Sequence, residues 1–418
     1  MNLLTLALAD LREQKLANAL HLLLLMLGVA MVTALLLIGN QIGGRFERDA
    51  HGVDLVIGAK GSPLQLILST VYHLDVPTGN IPLAEASRWG HHPMIASAIP
   101  ISLGDNARGF RIVGTTPELI RNYQASVVAG REWSGPMEAV IGADVAKAGL
   151  ELNATFIGVH GLSAAGHAHA DHPYKVVGVL APTNTVLDRL ILTSLDSVWE
   201  VHSQHHHHEP ATAGAEPDAD GDDDDDHEAA AADGYQPSKE ITALLVRYRS
   251  PLAAAALPRM INTNSNLQAA VPAFETARLL QLLGLGFDTL RALAIVLIAA
   301  ATLSVFVALY NAMEARQYDV AVLRSLGASR REVVTLLWLE ALMLSAAGTI
   351  LGILLAHAAV ELLGHVAGTA KGVRMTGWDW LPGEMLILLL PLAVGTVAAA
   401  LPAWRAYRTD VAHTLSRG

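Results

Sequence analysis

Residues 314–356 read EARQYDVAVLRSLGASRREVVTLLWLEALMLSAAGTILGILLA. Val320, Leu323 and Leu326 recur at helical spacing and share one face, with Arg316, Arg324, Arg330 and Arg331 ringed around them. Gly327 suits the left-handed residue that ends a helix. Ser329 followed by Glu332 forms an S-x-x-E capping box just ahead of an apolar run. One short helix therefore stops and another begins. The spacing predicts an amphipathic helix parallel to a membrane over 314–334, with its arginines offered to the solvent on that side. A spanning helix follows it directly.

The same apolar signature recurs on either side of this segment. No Asp, Glu, Lys or Arg lies between Leu16 and Gly44, Ala292 and Met313, Ala341 and Val360, or Met385 and Trp404. Each window is near the roughly 20 residues needed to cross a hydrocarbon core. The whole chain is 52% hydrophobic and 16% charged, which sets it apart from soluble proteins. The first window is too long for a secretory signal and lacks a prompt A-x-A site, so it reads as an uncleaved crossing. The expected plan is TM1 over 16–40, TM2 over 286–313, TM3 over 335–362 and TM4 over 384–403. Residues 1–15 form an amphipathic surface helix, 363–383 a short external loop and 404–418 a cytoplasmic tail. Arginines crowd the 314–334 connection and the tail, against Lys371 and Arg374 opposite, so the arginine-rich side is cytoplasmic. Residues 41–285 then lie outside the cytoplasmic membrane. His21 and His357, read as packed or interfacial, are the ionisable groups expected at depth, and no buried Asp, Glu, Lys or Arg marks an ion path.

Within 41–285, short runs such as VDLVIGAKGSP, GFRIVGTTPE, MEAVIGADVA, YKVVGVLAPTN, RLILTSL and ITALLVRYRS alternate with turn residues. PLAEASRWG and PLAAAALPRMINTN read as short helices, and PAFETARLLQLLGLGFDTLRAL as an outward extension of the second crossing. The expected fold class is an α-helical membrane protein with four transmembrane helices and an α+β extracytoplasmic domain inserted between helices 1 and 2. There is no cysteine, so that domain must be stabilised by its core alone. A disordered His/Asp-rich insertion interrupts it over 201–236.

No phosphate loop, dinucleotide fingerprint or nucleophile elbow occurs, and no zinc-protease helix is spelled out. The chain is not expected to be an enzyme, and no nucleic-acid partner is expected. Any pump built on it needs an energy-supplying partner.

The 314–356 segment resembles the corresponding region of MacB/FtsX-like permeases through Glu314, Arg316, Asp319, Leu323, Arg324, Gly327, Ala328, Glu340, Gly348 and Gly352. The tail LPAWRAYRTDVAHTLSRG is similar to that family's closing pattern through Pro402, Ala403, Ala406, Asp410 and Leu415. The resemblance implies a permease subunit, paired as a homodimer with a separate ABC ATPase that binds ATP and Mg2+. It implies coupling of ATP hydrolysis to movement of the external domain, a mechanotransmission, in a bacterial inner membrane. Arg316, Asp319, Leu323, Arg324, Leu326, Gly327, Ser329, Arg330 and Arg331 would then dock on the ATPase. An FtsX-like signal transmitter activating an envelope enzyme, or an extractor-exporter of lipoproteins or peptides, is the alternative. Residues 54–82 are similar to a subgroup found alongside zinc-acquisition components.

Fourteen of the eighteen histidines fall within 41–285. His167, His169 and His172 make one cluster; His202, His205, His206, His207, His208 and His227 make a second, set among acidic residues. Imidazole with carboxylate suits zinc, nickel or copper, so both clusters are candidate Zn2+ ligands on the external domain, with a periplasmic metal-binding or envelope protein as partner. The chain itself is expected to hold no other cofactor.

Overall fold

The computed structural model describes residues 7, 15–160, 171–203, 239–315, 329–371 and 375–408. It divides into two compact units, Gly44–Leu279 and Met1–Gly43 with Leu280–Gly418. Apart from Ala7 and Lys15, the expected 1–15 helix lies outside the described residues.

The strands are β1 (Leu55–Ala59), β2 (Ile81–Pro82), β3 (Ile95–Ala107), β4 (Phe110–Thr115), β5 (Val127–Gly130), β6 (Glu138–Ile141) and β7 (Thr155–Phe156). They continue with β8 (Val159–His160), β9 (Tyr174–Leu180), β10 (Leu190–Ser194), β11 (Glu240–Ile241), β12 (Ala243–Tyr248) and β13 (Leu267–Ala270). Helices are α1 (Lys15–Asp49), α2 (Pro63–Thr70), α3 (Leu83–Gly90), α4 (Glu118–Asn122), α5 (Ala143–Lys147) and α6 (Leu195–Ser203). After them come α7 (Pro251–Asn264), α8 (Pro272–Ala315), α9 (Arg330–Lys371), α10 (Glu384–Ile387) and α11 (Leu390–Arg408).

The 44–279 unit is built on a mixed sheet ordered β13-β1-β12-β3-β4-β10-β6-β9-β5, with β7 on β9 and β8 on β3. Strand side chains alternate between faces, and β1, β10 and β12 read as nearly continuous apolar runs because both faces are buried. Val56, Ile99, Ile101, Val113, Leu192 and Leu245 look to one face, where Leu66 and Ile67 of α2 and Leu119 and Ile120 of α4 cover them. Leu55, Ile57, Leu244 and Val246 look to the other, under Leu257 and Ile261 of α7. Beside them Ile112, Ile141, Val176 and Ile191 are covered by Val145 of α5 and Val201 of α6. Each such side chain, fully buried, contributes on the order of 1.5–3 kcal/mol. Both faces of the sheet are thus covered, as an α+β domain without disulfides needs.

The six β-type runs read from the sequence each contain a strand, and both short helical readings are helices. The longest strand, β3, is not evident in the sequence, because Pro100, Gly104 and Asn106 look like breakers. Pro100 is accommodated opposite Leu244 in register, and its carbonyl accepts from Thr115 Oγ1 at 2.9 Å. The pairing with β4 shifts register between Leu103 and Asn106. α6 carries on through Ser203 and buries Val201 in the core, three residues into the 201–236 stretch.

Among the described residues, three segments are long and apolar enough to cross a membrane: Asn18–Asp49, Pro272–Val307 and Arg331–Val366. The stretch 384–403 is formed by α10 and the start of α11, with a break at Leu388 and Leu389. Val305, Val333, Leu337, Ala341, Leu344, Ala398 and Ala399 pack together; Leu25, Val29, Ala301, Ile353 and Val394 form a second cluster. Gly348 and Gly352 let α9 lie directly on α1. A Cβ at Gly352 would stand 2.8 Å from the Met26 carbonyl oxygen and from Val29 Cβ. Such small-xxx-small contacts are a general means of bringing membrane helices together.

One expectation is corrected here. Buried carboxylates are present in this unit: Glu340 and Glu384 are both nearly inaccessible. Glu384 escapes the charge-free window because it stands just ahead of it, and its burial rests on a specific partner, His357.

Candidate functional site

The arginine-rich connection is framed by the end of α8 at Ala315 and the start of α9 at Arg330. Arg316, Asp319, Leu323, Arg324, Leu326 and Gly327 lie outside the described residues. What is described is the restart. Ser329 N–H donates to Glu332 Oε2 at 2.7 Å, and Glu332 N–H donates to Ser329 Oγ at 3.3 Å. This reciprocal pair satisfies two of the donors that a helix start leaves open. It gives the connection a defined end, with Arg330 in the first helical turn and Arg331 exposed.

Of the candidate metal ligands, His167, His169, His205, His206, His207, His208 and His227 lie outside the described residues. His172 is half-buried just before β9, and His202 lies in the last turn of α6. Among the described residues, no three His, Cys, Asp or Glu side chains converge in a way that could hold a metal ion. The described residues that border the two histidine-rich segments nevertheless belong to one neighbourhood. β8 pairs with β3 at Asp105, and Tyr174 opens β9. Val201 of α6 shares a core with Tyr174 and Phe156. Burial pushes the Tyr174 hydroxyl well up, with Asp105 and Glu200 adding to the effect. On the far side of the insertion, Trp199 Nε1 donates to the Glu240 carbonyl at 2.6 Å. Lys239 Nζ lies 4.3 Å from the centre of the Trp199 ring and 3.2 Å from Asp196 Oδ1. The two ends of the His/Asp insertion are therefore held together at a neck.

A cluster not anticipated from the sequence gathers around the end of α1 within the 44–279 unit. Asp49, in the last turn of α1, is 3.4 Å from Arg189 and 3.8 Å from Arg45. Its carbonyl accepts from Tyr123 Oη at 2.6 Å, and Arg48 Nε donates to the Asn184 carbonyl at 3.4 Å. Burial pushes the Tyr123 hydroxyl up, reinforced by Asp49 and Tyr72. Close by, burial drives His73 down to about 3, with the guanidinium groups of Arg111 and Arg189 acting in the same direction. These residues come from segments far apart in the chain, so no local pattern announces them. The one available signal was the charge pair Arg45 and Arg48 right after an apolar run.

In the helical unit, His357 Nδ1 donates to the Gly377 carbonyl, and its Nε2 lies 3.0 Å from Glu384 Oε2. Trp380 stacks on the imidazole at 4.3 Å. Glu361 accepts from Gly377 N–H at 2.8 Å, and Gln41 bonds both the N–H and the carbonyl of Thr376. These side chains thus close on one another and on loop backbone.

Comparison with known proteins yields two family matches. Residues 19–263 match the MacB-like periplasmic core domain, and residues 291–411 match the FtsX-like permease C-terminal region. Among solved structures, the chain is similar to the periplasmic region of MacB from Actinobacillus actinomycetemcomitans. The two are 10% identical with a TM-score of 0.33, covering 55% of this chain and 95% of that one. It is also similar to the extracellular domain of the noncanonic ABC-type transporter YknZ from Gram-positive bacteria. Here identity is 11% and the TM-score 0.31, over 51% of this chain and 98% of that one. A comparison with curated proteins finds no match.

Proposed function

Since the chain belongs to the MacB/FtsX-like ABC-type permease family, with a MacB-like periplasmic core domain ahead of an FtsX-like permease region, we propose that it transmits ATP-driven motion across a membrane. In this reading a separate ATPase subunit hydrolyses ATP on the cytoplasmic side of a bacterial inner membrane. The permease, as a homodimer, carries the resulting displacement to its periplasmic domain. Members of this family are not themselves enzymes, and they typically work with an ABC ATPase.

The observation that carries the proposal is the order of parts. One family match covers the sheet domain and the other covers the later helices. Between the end of α8 at Ala315 and the capped start of α9 at Arg330 lies the connection 316–329, long enough for one docking helix. The closed pairing of His357 with Glu384, and of Glu361 with Gly377, favours motion over a solute path through the helices. Leu323→Asp puts a charge on the apolar face of the docking helix. It is expected to leave the protein in the membrane and abolish co-purification of the ATPase. Retained co-purification would remove 314–334 from the coupling surface.

The motion could serve envelope transport of zinc, activation of an envelope enzyme, or extraction of a lipoprotein or peptide. The two histidine clusters favour the first. Runs of imidazole spaced this way prescribe no single coordination geometry, so binding is expected to be modest in affinity and poorly selective. Zinc titration of the protein with and without residues 202–228 tests this, and equal affinity would take the tract out of the mechanism.

A further inference from the structure

The chain enters the 44–279 unit through the end of α1 and leaves it through the start of α8, and one side chain touches both. Tyr72 follows α2; Val71 N–H and Tyr72 N–H both donate to the Ile67 carbonyl, at 3.0 and 3.3 Å. This turn drives the ring into the core beside Ile67, Leu119 and Tyr123, where it is 2% exposed. On one side it meets Phe46 of α1 edge-on, with ring centres 4.7 Å apart at 74°. Its hydroxyl lies 2.5 Å from Thr276 Oγ1, in the second turn of α8, one of the two donating to the other.

A core tyrosine that finds the nearest hydroxyl would need no further comment. Two observations argue for more. First, the partners lie in two different helices that each run on into a segment long and apolar enough to cross a membrane. Second, the two helices are held very unequally. The end of α1 has Asp49 on Arg189, Tyr123 on the Asp49 carbonyl and Arg48 on Asn184. Among the described residues, Thr276 makes the one side-chain hydrogen bond that ties 272–279 to another element.

We propose that Tyr72 is a positioning residue, a latch that makes the start of α8 move with the end of α1 and with the core between them. The proposal rests on the chain's role as a transmitter of motion. Displacement of either helix then reaches the sheet as one movement, instead of being lost by slippage of α8.

The test is hydrogen exchange followed by mass spectrometry on the full chain in detergent. Tyr72→Phe keeps the ring against Phe46 and removes only the hydroxyl; Thr276→Val removes the other half of the bond. Each is expected to speed exchange at amides 276–282 by about two- to tenfold, the range for loss of one hydrogen bond that limits a local opening. Strand amides should not change. The double variant should exchange no faster than either single one, a non-additivity that an independent packing defect at each site would not produce. Unchanged exchange at 276–282, or additive effects, would overturn the latch. If Tyr72→Phe did not fold, Thr276→Val alone would decide by the same readout. No ATPase is needed for this experiment. A missing ATPase partner would count against motion transmission and leave the latch standing.

Discussion

Replacing residues 204–238 with eight Gly/Ser residues is expected to raise the stability of the external domain. The reasoning starts at the neck. Trp199 Nε1 reaches the Glu240 carbonyl at 2.6 Å, and Lys239 meets both the Trp199 ring and Asp196. These contacts are surface ones, worth about 0–1 kcal/mol each, but they bring the two ends of the insertion together without help from it. Thirty-five residues, 204–238, join these two ends. Closure cost grows as (3/2)RT ln n, so cutting 35 to eight recovers about 1.3 kcal/mol. The excised span holds eleven Asp and Glu and no Lys or Arg, so the formal net charge goes from -11 to zero. Less self-repulsion acts in the same direction, at the expense of solubility. For a domain of about 200 residues this amounts to a rise of roughly 3–5 °C in Tm. Thermal unfolding of the two full chains, followed by near-ultraviolet circular dichroism, measures it. A fall in Tm would show that the insertion packs on the domain, and the loop reading would be wrong.

Gly352→Leu is expected to destabilise the helical unit by about 1–3 kcal/mol, the usual range for overpacking, because even a Cβ would stand 2.8 Å from Met26 O and Val29 Cβ. Gly284→Ala serves as its contrast. Among the described residues, a Cβ there would meet nothing within 4 Å beyond its own helix backbone and chain neighbours, so it should gain up to about 1 kcal/mol from helix propensity. Thermal unfolding in detergent separates the two, and equal shifts would refute the packing argument. His73→Gln should flatten the pH dependence of external-domain stability. With the folded group pushed down to about 3 from 6.5, the unfolded chain alone binds the proton between those values. The stabilisation is thus complete above pH 6.5 and is lost on acidification, at up to about 1.4 kcal/mol per unit. Melting curves from pH 7.5 to 5 test this; parallel profiles for wild type and variant would exclude His73 as the source.

What could be read from the sequence was whatever is periodic over a short span. The first three apolar windows, the Ser329–Glu332 box and the apolar runs of β1, β12 and β10 are properties of neighbours in the chain, and each recurs in the structure, whereas the fourth window is split between α10 and α11. β3 escaped because its breakers are compensated from outside it. Pro100 brings no N–H to the ladder, yet it pairs in register opposite Leu244 and its carbonyl accepts from the Thr115 hydroxyl. Propensity describes a residue's own preference, whereas a strand inside a sheet takes half its conformation from the two strands beside it.

The same distinction explains why the buried polar groups were misjudged. A charge-free window says that a helix can enter lipid; it says nothing about a carboxylate at the window's edge that finds a partner 27 residues away, as Glu384 finds His357. An isolated ionised group there would cost several kcal/mol. Its presence therefore implies the partner, and the partner fixes the Gly377 loop as well. The Asp49–Arg189 pair and the Tyr72–Thr276 bond follow the same logic in the external domain. Each of these three ties joins a helix end to a distant segment. Helix ends are the points at which a displacement along a helix axis has to be handed on, so these ties stand where a transmitter of motion would need stiffness most.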